Sequence, residues 1–283
     1  MALHAYLAGL RRAPRLWPMA VVLFLANIAA GLCTAALAWH WLDSALDGSA
    51  ATQTLLTHLD LNVFVDLVAY HGESMRTLLA TAAVIAVAFV AVGAWCNAVV
   101  AVSVTADTGL AESLWRGTNL VPACLALASV MWFLQGASIA TGFLLSRSAV
   151  RWAASSYAET THYAALGSGI MLSGGLLFVL TTVHDHARIR IAAVGTGAIE
   201  AFGWSLRFVS RHVAKTLSLT LLLLATGVVV WFAYQVVAAR IPVTSRAGLA
   251  VSILWGEGFV FVRMLVRVGA YASTRDLQRQ ATY

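Results

Sequence analysis

The chain has 283 residues, 60% of them hydrophobic and 11% charged, with a mean hydropathy of +0.82 and a formal net charge of +6. A soluble domain carries roughly a quarter charged residues, so this composition excludes an ordinary soluble fold and reads as an integral membrane protein. With four prolines and few polar runs, one transmembrane domain over residues 1–283 is expected, with no sizeable soluble part. The basic excess does not suggest nucleic acid, because the arginines do not cluster with aromatics on a soluble face. It suits loops that meet anionic headgroups on the cytoplasmic side of a lipid bilayer.

The first apolar segment, about 16–39, follows "RRAPR" and ends in "AALAW". At about 24 residues it exceeds a signal-peptide core of about 7–15, so it reads as a retained first span. Five further segments are long and apolar enough to cross, at about 78–102, 120–145, 163–183, 217–238 and 247–272. Their Leu, Ala, Val and Gly content, without dyad alternation, predicts helices rather than a β-barrel. The expected fold is therefore all-α, a polytopic transmembrane helical bundle of about six spans with amphipathic helices at its surfaces.

Two connections carry structure of their own. The segment 43–76 is acidic, with Leu56, Leu59, Val63 and Leu67 at helical spacing, and reads as an outer amphipathic segment lying on the membrane. In 196–215, Ile199, Phe202, Leu206, Val209 and Val213 recur every three or four residues, while Arg207, Arg211 and Lys215 recur every four on another face. That predicts a basic amphipathic helix, either an anchor to anionic lipid or a docking surface for a partner. "AVGTG" just before it lacks the spacing of a phosphate loop.

Orientation follows from the positive-inside rule. With the N-terminus inside, that side gains Arg11, Arg12, Arg15, Arg116, Arg188, Arg190, Arg207, Arg211, Lys215, Arg275 and Arg279, against Arg76, Arg147, Arg151, Arg240 and Arg246 outside. Both termini are expected in the cytoplasm, with Arg263 and Arg267 near the inner end of the last span, snorkelling to headgroups in one stripe with Arg275.

Glu257, between Gly256 and Gly258, lies roughly 16 Å along the last span from Arg246. A carboxylate at that depth is costly, and must be protonated, paired or in a wet cavity. The glycines would let a neighbouring helix or a substrate approach. Glu257 reads either as a hydrogen-bonded structural group or as a proton- or substrate-coupling site. Asn27, Asn97 and Gln135 are the other intramembrane polar candidates, each more often interhelical glue than ligand. Ala165, Gly169 and Ser173 form a small-residue row for close packing within or outside the chain, and Ala26, Ala30, Gly31 and Ala35 repeat the pattern in the first span.

"HDHARIR" gathers Asp185, Arg188 and Arg190 beside two histidines that face apart on a helix. No metal or cofactor is expected there, and Asp185 reads as the ion-pair partner of Arg188 or of a basic residue in the amphipathic helix. Cys33, Cys96 and Cys124 each sit in an apolar run and read as buried hydrophobes.

The sequence "DHARIR" followed by "EAFGWSLRFVSRHVAKTLSLTLLLL" resembles a type of uncharacterised bacterial six-span membrane protein with an Asp-x-Ala-Arg turn after the fourth span. His186 stands where those proteins carry an aromatic residue, and the resemblance implies no activity. The favoured reading is a non-catalytic subunit or scaffold of a larger bacterial inner-membrane complex, with other membrane subunits as partners. The alternative is a transporter or permease subunit for a small solute, lipid or proton that uses Glu257. It would bring internal repeats and broken helices, and "WGEG" could supply a break. A lipid-modifying enzyme comes last, for want of a catalytic cluster.

Overall fold

A computed structural model describes residues 1–46, 72–153, 159–242 and 245–282. Most of the outer segment 43–76 lies outside them. Among the described residues every regular element is helical: α1 (Ala2–Arg12), a 3-10 turn (Ala13–Leu16), α2 (Trp17–Leu46), α3 (Gly72–Ala106), α4 (Leu110–Asn119), α5 (Val121–Ala153), α6 (Glu159–Val194), α7 (Ala198–Arg211), α8 (Val213–Ala238) and α9 (Arg246–Thr282). Six of these helical stretches are long and apolar enough to cross a membrane.

The boundaries have local causes. Pro14 sits within the 3-10 turn between α1 and α2, while Pro18 and Pro122 sit in the first turns of α2 and α5, where a missing N–H costs nothing. Asp107 at the end of α3 (φ 57°) and Gly195 at the end of α6 (φ 73°) take the left-handed conformation that closes a helix, their amides donating to the carbonyls of Ser103 and Ile191. "AVGTG" is thus a helix stop. At the start of α9, the Ser245 hydroxyl accepts from the Gly248 amide at 3.0 Å, an N-cap.

The chain divides into two compact units, Met1–Val22 with Ala94–Tyr283, and Leu23–Gly93. In the smaller unit, Trp41 is buried against Leu42, Met75 and Leu78, and its indole N–H donates to the Ser74 hydroxyl at 3.1 Å. Cys33 lies exposed on α2. That differs from the expected burial, because the described residues leave this face of α2 open.

In the larger unit, burial is concentrated at the end that carries α1 and the last turns of α9. Every residue from Tyr271 to Gln278 is buried there, as are Val99 to Val104, Val183, His184 and His186 to Ala187. Elsewhere the helices are open: only 6% to 28% of the most apolar window of each of the last five candidate spans is buried within the chain. Those faces need lipid or another chain to cover them.

Three close helix contacts build this unit. Gly9 of α1 sits on Gly269 and Ser273 of α9, where an added Cβ would lie 2.7 Å from the Gly269 carbonyl oxygen. Gly117 of α4 sits on the Val99 backbone. Gly169 and Ser173 of α6 interlock with Ser138, Gly142 and Ser146 of α5: the Ser146 hydroxyl donates to the Leu166 carbonyl at 3.1 Å and that of Ser173 to the Ser138 carbonyl at 3.2 Å. Small side chains let backbones approach closely enough for such bonds, which is the main source of helix association where water is absent.

Candidate functional site

The Asp-x-Ala-Arg segment is helical rather than a turn, because α6 continues past it to Val194. Its position on the continuing helix aims Asp185 and Arg188 at α9. Asp185 lies 3.6 Å from the Arg188 guanidinium and 4.0 Å from that of Arg267. Arg188 donates to the Tyr271 hydroxyl at 3.2 Å, and that hydroxyl donates to Asn97 Oδ1 of α3 at 2.8 Å. Arg267 also lies over the Tyr271 ring, 5.6 Å from its centroid. Residues from α3, α6 and α9 thus form one charged network, with two arginines sharing a single carboxylate.

The network forms part of the wall of a cavity of about 680 Å³ between α6, α8 and α9. Its α8 wall is apolar from Leu223 through Val228 to Trp231, with Leu219 and the Thr220 hydroxyl at one end. The opposite side carries Thr182, Asp185, Arg263, Arg267, Tyr271 and Thr274 among the apolar Phe259, Val266 and Ala270. The Thr182 and Thr220 hydroxyls are 3.0 Å apart and tie α6 to α8 at one end of the space. At the other end Tyr234 stacks on Phe259 with centroids 4.5 Å apart. Arg263 is exposed and makes no hydrogen bond or ion pair with any described residue.

Glu257 lies outside this cavity. It is half-buried, and no hydrogen bond or ion pair joins it to a described residue. α9 runs unbroken through Gly256 and Gly258, whose surroundings are open apart from the Tyr234 hydroxyl 4.0 Å from a Cβ built on Gly256. Asn97 joins the network, whereas Asn27 is exposed on α2 and donates to its own helix at the Leu23 carbonyl, 2.9 Å away. Gln135 is half-buried on α5. Ala165 is half-buried, one turn before Gly169.

Arg275 does not join a headgroup stripe with Arg263 and Arg267. It is buried, and its guanidinium donates to the Val104 and Thr105 carbonyls at the C-terminal end of α3, where free carbonyls and the helix dipole favour a cation. Arg190 stacks on Trp204 of α7, 4.8 Å from the ring centroid, and Gln278 donates to the His186 carbonyl at 3.0 Å. Arg207 and Arg211 are exposed on α7 and flank a small surface hollow with Trp204, Phe208 and His212. α7 ends at Arg211, short of the expected 215, because His212 leaves helical geometry (φ −125°, ψ 34°).

Sequence reasoning missed Tyr271 and the α8 wall. Tyr271 had a signal: it follows Arg267 by four residues, one helical turn. Comparison with known protein families, curated proteins and solved structures finds no match.

Proposed function

We propose that the protein is a non-catalytic integral membrane subunit or scaffold of a larger bacterial inner-membrane complex, with both termini cytoplasmic and α7 facing anionic headgroups. One observation carries this reading. Of the two small-residue rows in the spans, the α6 row packs on α5 of the same chain, whereas among the described residues of its own unit the α2 row meets no comparable close neighbour. Gly31 and Ala35 are exposed, and a Cβ built on Gly31 meets nothing within 4 Å. Such a row permits close backbone approach by another helix, and its free face fits a subunit contact better than lipid alone, for which larger side chains serve equally well.

The test is gentle extraction from the native membrane followed by mass determination of the wild type and of Gly31→Leu. The reading expects stoichiometric partner chains with the wild type and their loss with the variant, at unchanged melting temperature. A bare monomer or homodimer of the wild type would overturn it.

A further inference from the structure

We propose that the cavity between α6, α8 and α9 is a binding site for one anionic glycerophospholipid. The phosphate sits between Arg263 and Arg267, and an acyl chain lies along α8. The inference stands apart from the scaffold reading, since it concerns what the chain itself holds.

Charge is the first argument. Arg263 and Arg267 are one helical turn apart on the same face of α9 and both line the cavity. The only carboxylate among the lining residues is Asp185, and it is already 3.6 Å from Arg188. One carboxylate cannot neutralise three guanidinium groups, so the site holds an excess of positive charge next to an apolar wall. Guanidinium groups match phosphate oxygens in geometry, and their long stems let the charged ends reach the headgroup region.

Depth is the second. Arg263 and Arg267 lie about 25 Å and about 31 Å along α9 from Arg246 at helical rise. Hydrocarbon is about 30 Å thick, so with Arg246 at one boundary the pair reaches the other, where lipid phosphates lie.

Shape is the third. The cavity is polar toward Thr182, Thr220 and Thr274 and apolar toward Val228, Val230, Trp231 and Phe259. Threonine hydroxyls suit the hydroxyls of a polar head at the first end. The lining of α8 from Leu219 to Trp231 extends about 18 Å, enough for a chain to lie along it. A glycine at 227, where a built Cβ meets nothing within 4 Å, widens the space midway.

The test is mass spectrometry of the intact full chain in mild detergent with dioleoyl phosphatidylglycerol, dioleoyl phosphatidylcholine, oleate or inorganic phosphate at equal concentration. One retained phosphatidylglycerol per chain is expected, held about tenfold or more above the other three, and lost by the same factor in Arg263→Gln/Arg267→Gln. Gly227→Phe should fill the cavity and expel the lipid at unchanged melting temperature, which guards against misfolding of the arginine variant. Equal retention of phosphatidylcholine would show that charge is not read. Equal retention of oleate, or of phosphate alone, would show a different ligand, and retention by Gly227→Phe a different place. Any of these outcomes overturns the proposal.

Discussion

Tyr271 is the residue on which three helices converge. Its hydroxyl accepts from Arg188 and donates to Asn97, while its ring lies beneath Arg267. Only 3% of its surface is exposed, so water cannot replace the bonds that a substitution removes. Tyr271→Phe keeps the ring and its contact with Arg267 but leaves Arg188 without the hydroxyl. Loss of hydrogen bonds to charged and buried groups of this kind costs about 1–3 kcal/mol. The expected outcome is a lower midpoint of thermal unfolding in detergent, read by tryptophan fluorescence; an unchanged midpoint would mean that the network does not hold the helices together. Apart from the four-residue spacing of Arg267 and Tyr271, nothing local in the sequence exposes this arrangement. Arg188 and Asn97 stand 83 and 174 residues from Tyr271, and hydropathy reports only that each lies in or near a span.

At the level of the element, the pairing of α5 with α6 depends on backbone proximity. A Cβ on Gly169 would stand 2.9 Å from the Ser146 amide nitrogen and still nearer to the Gly142 carbonyl oxygen, so the obstruction is backbone and cannot rotate away. Gly169→Leu is expected to lower stability by about 1–3 kcal/mol, the usual cost of overpacking. Gly167→Leu, two residues earlier with open space around it, should leave stability nearly unchanged. Denaturation of both variants in the same detergent decides the point, and equal loss in both would refute the pairing. The Ala165, Gly169 and Ser173 row was legible in the sequence because small residues recur at helical spacing, but which helix it meets was not. The helices α1 and α4 were not legible either. Each is short and mixed in polarity, and reads as a flank of its neighbouring span until Gly9 and Gly117 are seen against α9 and α3. Arg275 was misplaced for a related reason: spacing set it beside Arg263 and Arg267, whereas the free carbonyls at the end of α3 hold it inside.

For the molecule as a whole, the six candidate spans were plain in the sequence, since runs of about 20 apolar residues need no partner to be recognised. The packed end of the larger unit was not, because it is built from the ends of helices that hydropathy treats as flanks. That end depends on α1 and α9 together. Ala5, Leu219 and Leu277 share one buried cluster, Arg12 pairs with Asp276 at 3.1 Å, and the Tyr6 hydroxyl meets that of Thr226 at 2.6 Å. Trypsin is expected to cut the intact protein after the exposed Arg279 and to spare the buried Arg275. A chain truncated after Gly269 should lose slow amide exchange in α1 around the buried Ala5 and Gly9 as that helix comes free, which hydrogen exchange would detect. Continued protection there would mean that α1 is held by something other than α9.

The seating of Gly9 on Ser273 also sets a clock. Synthesis runs at roughly 5–20 residues per second, so α1 emerges on the order of tens of seconds before the helix that receives it. Throughout that interval α1 lacks the helix against which Gly9 packs. Completion of this end is therefore a late event in biogenesis, gated by arrival of the last helix. A nascent chain stalled before α9 would leave both Gly9 of α1 and the Val104 and Thr105 carbonyls of α3 without the partners that α9 supplies.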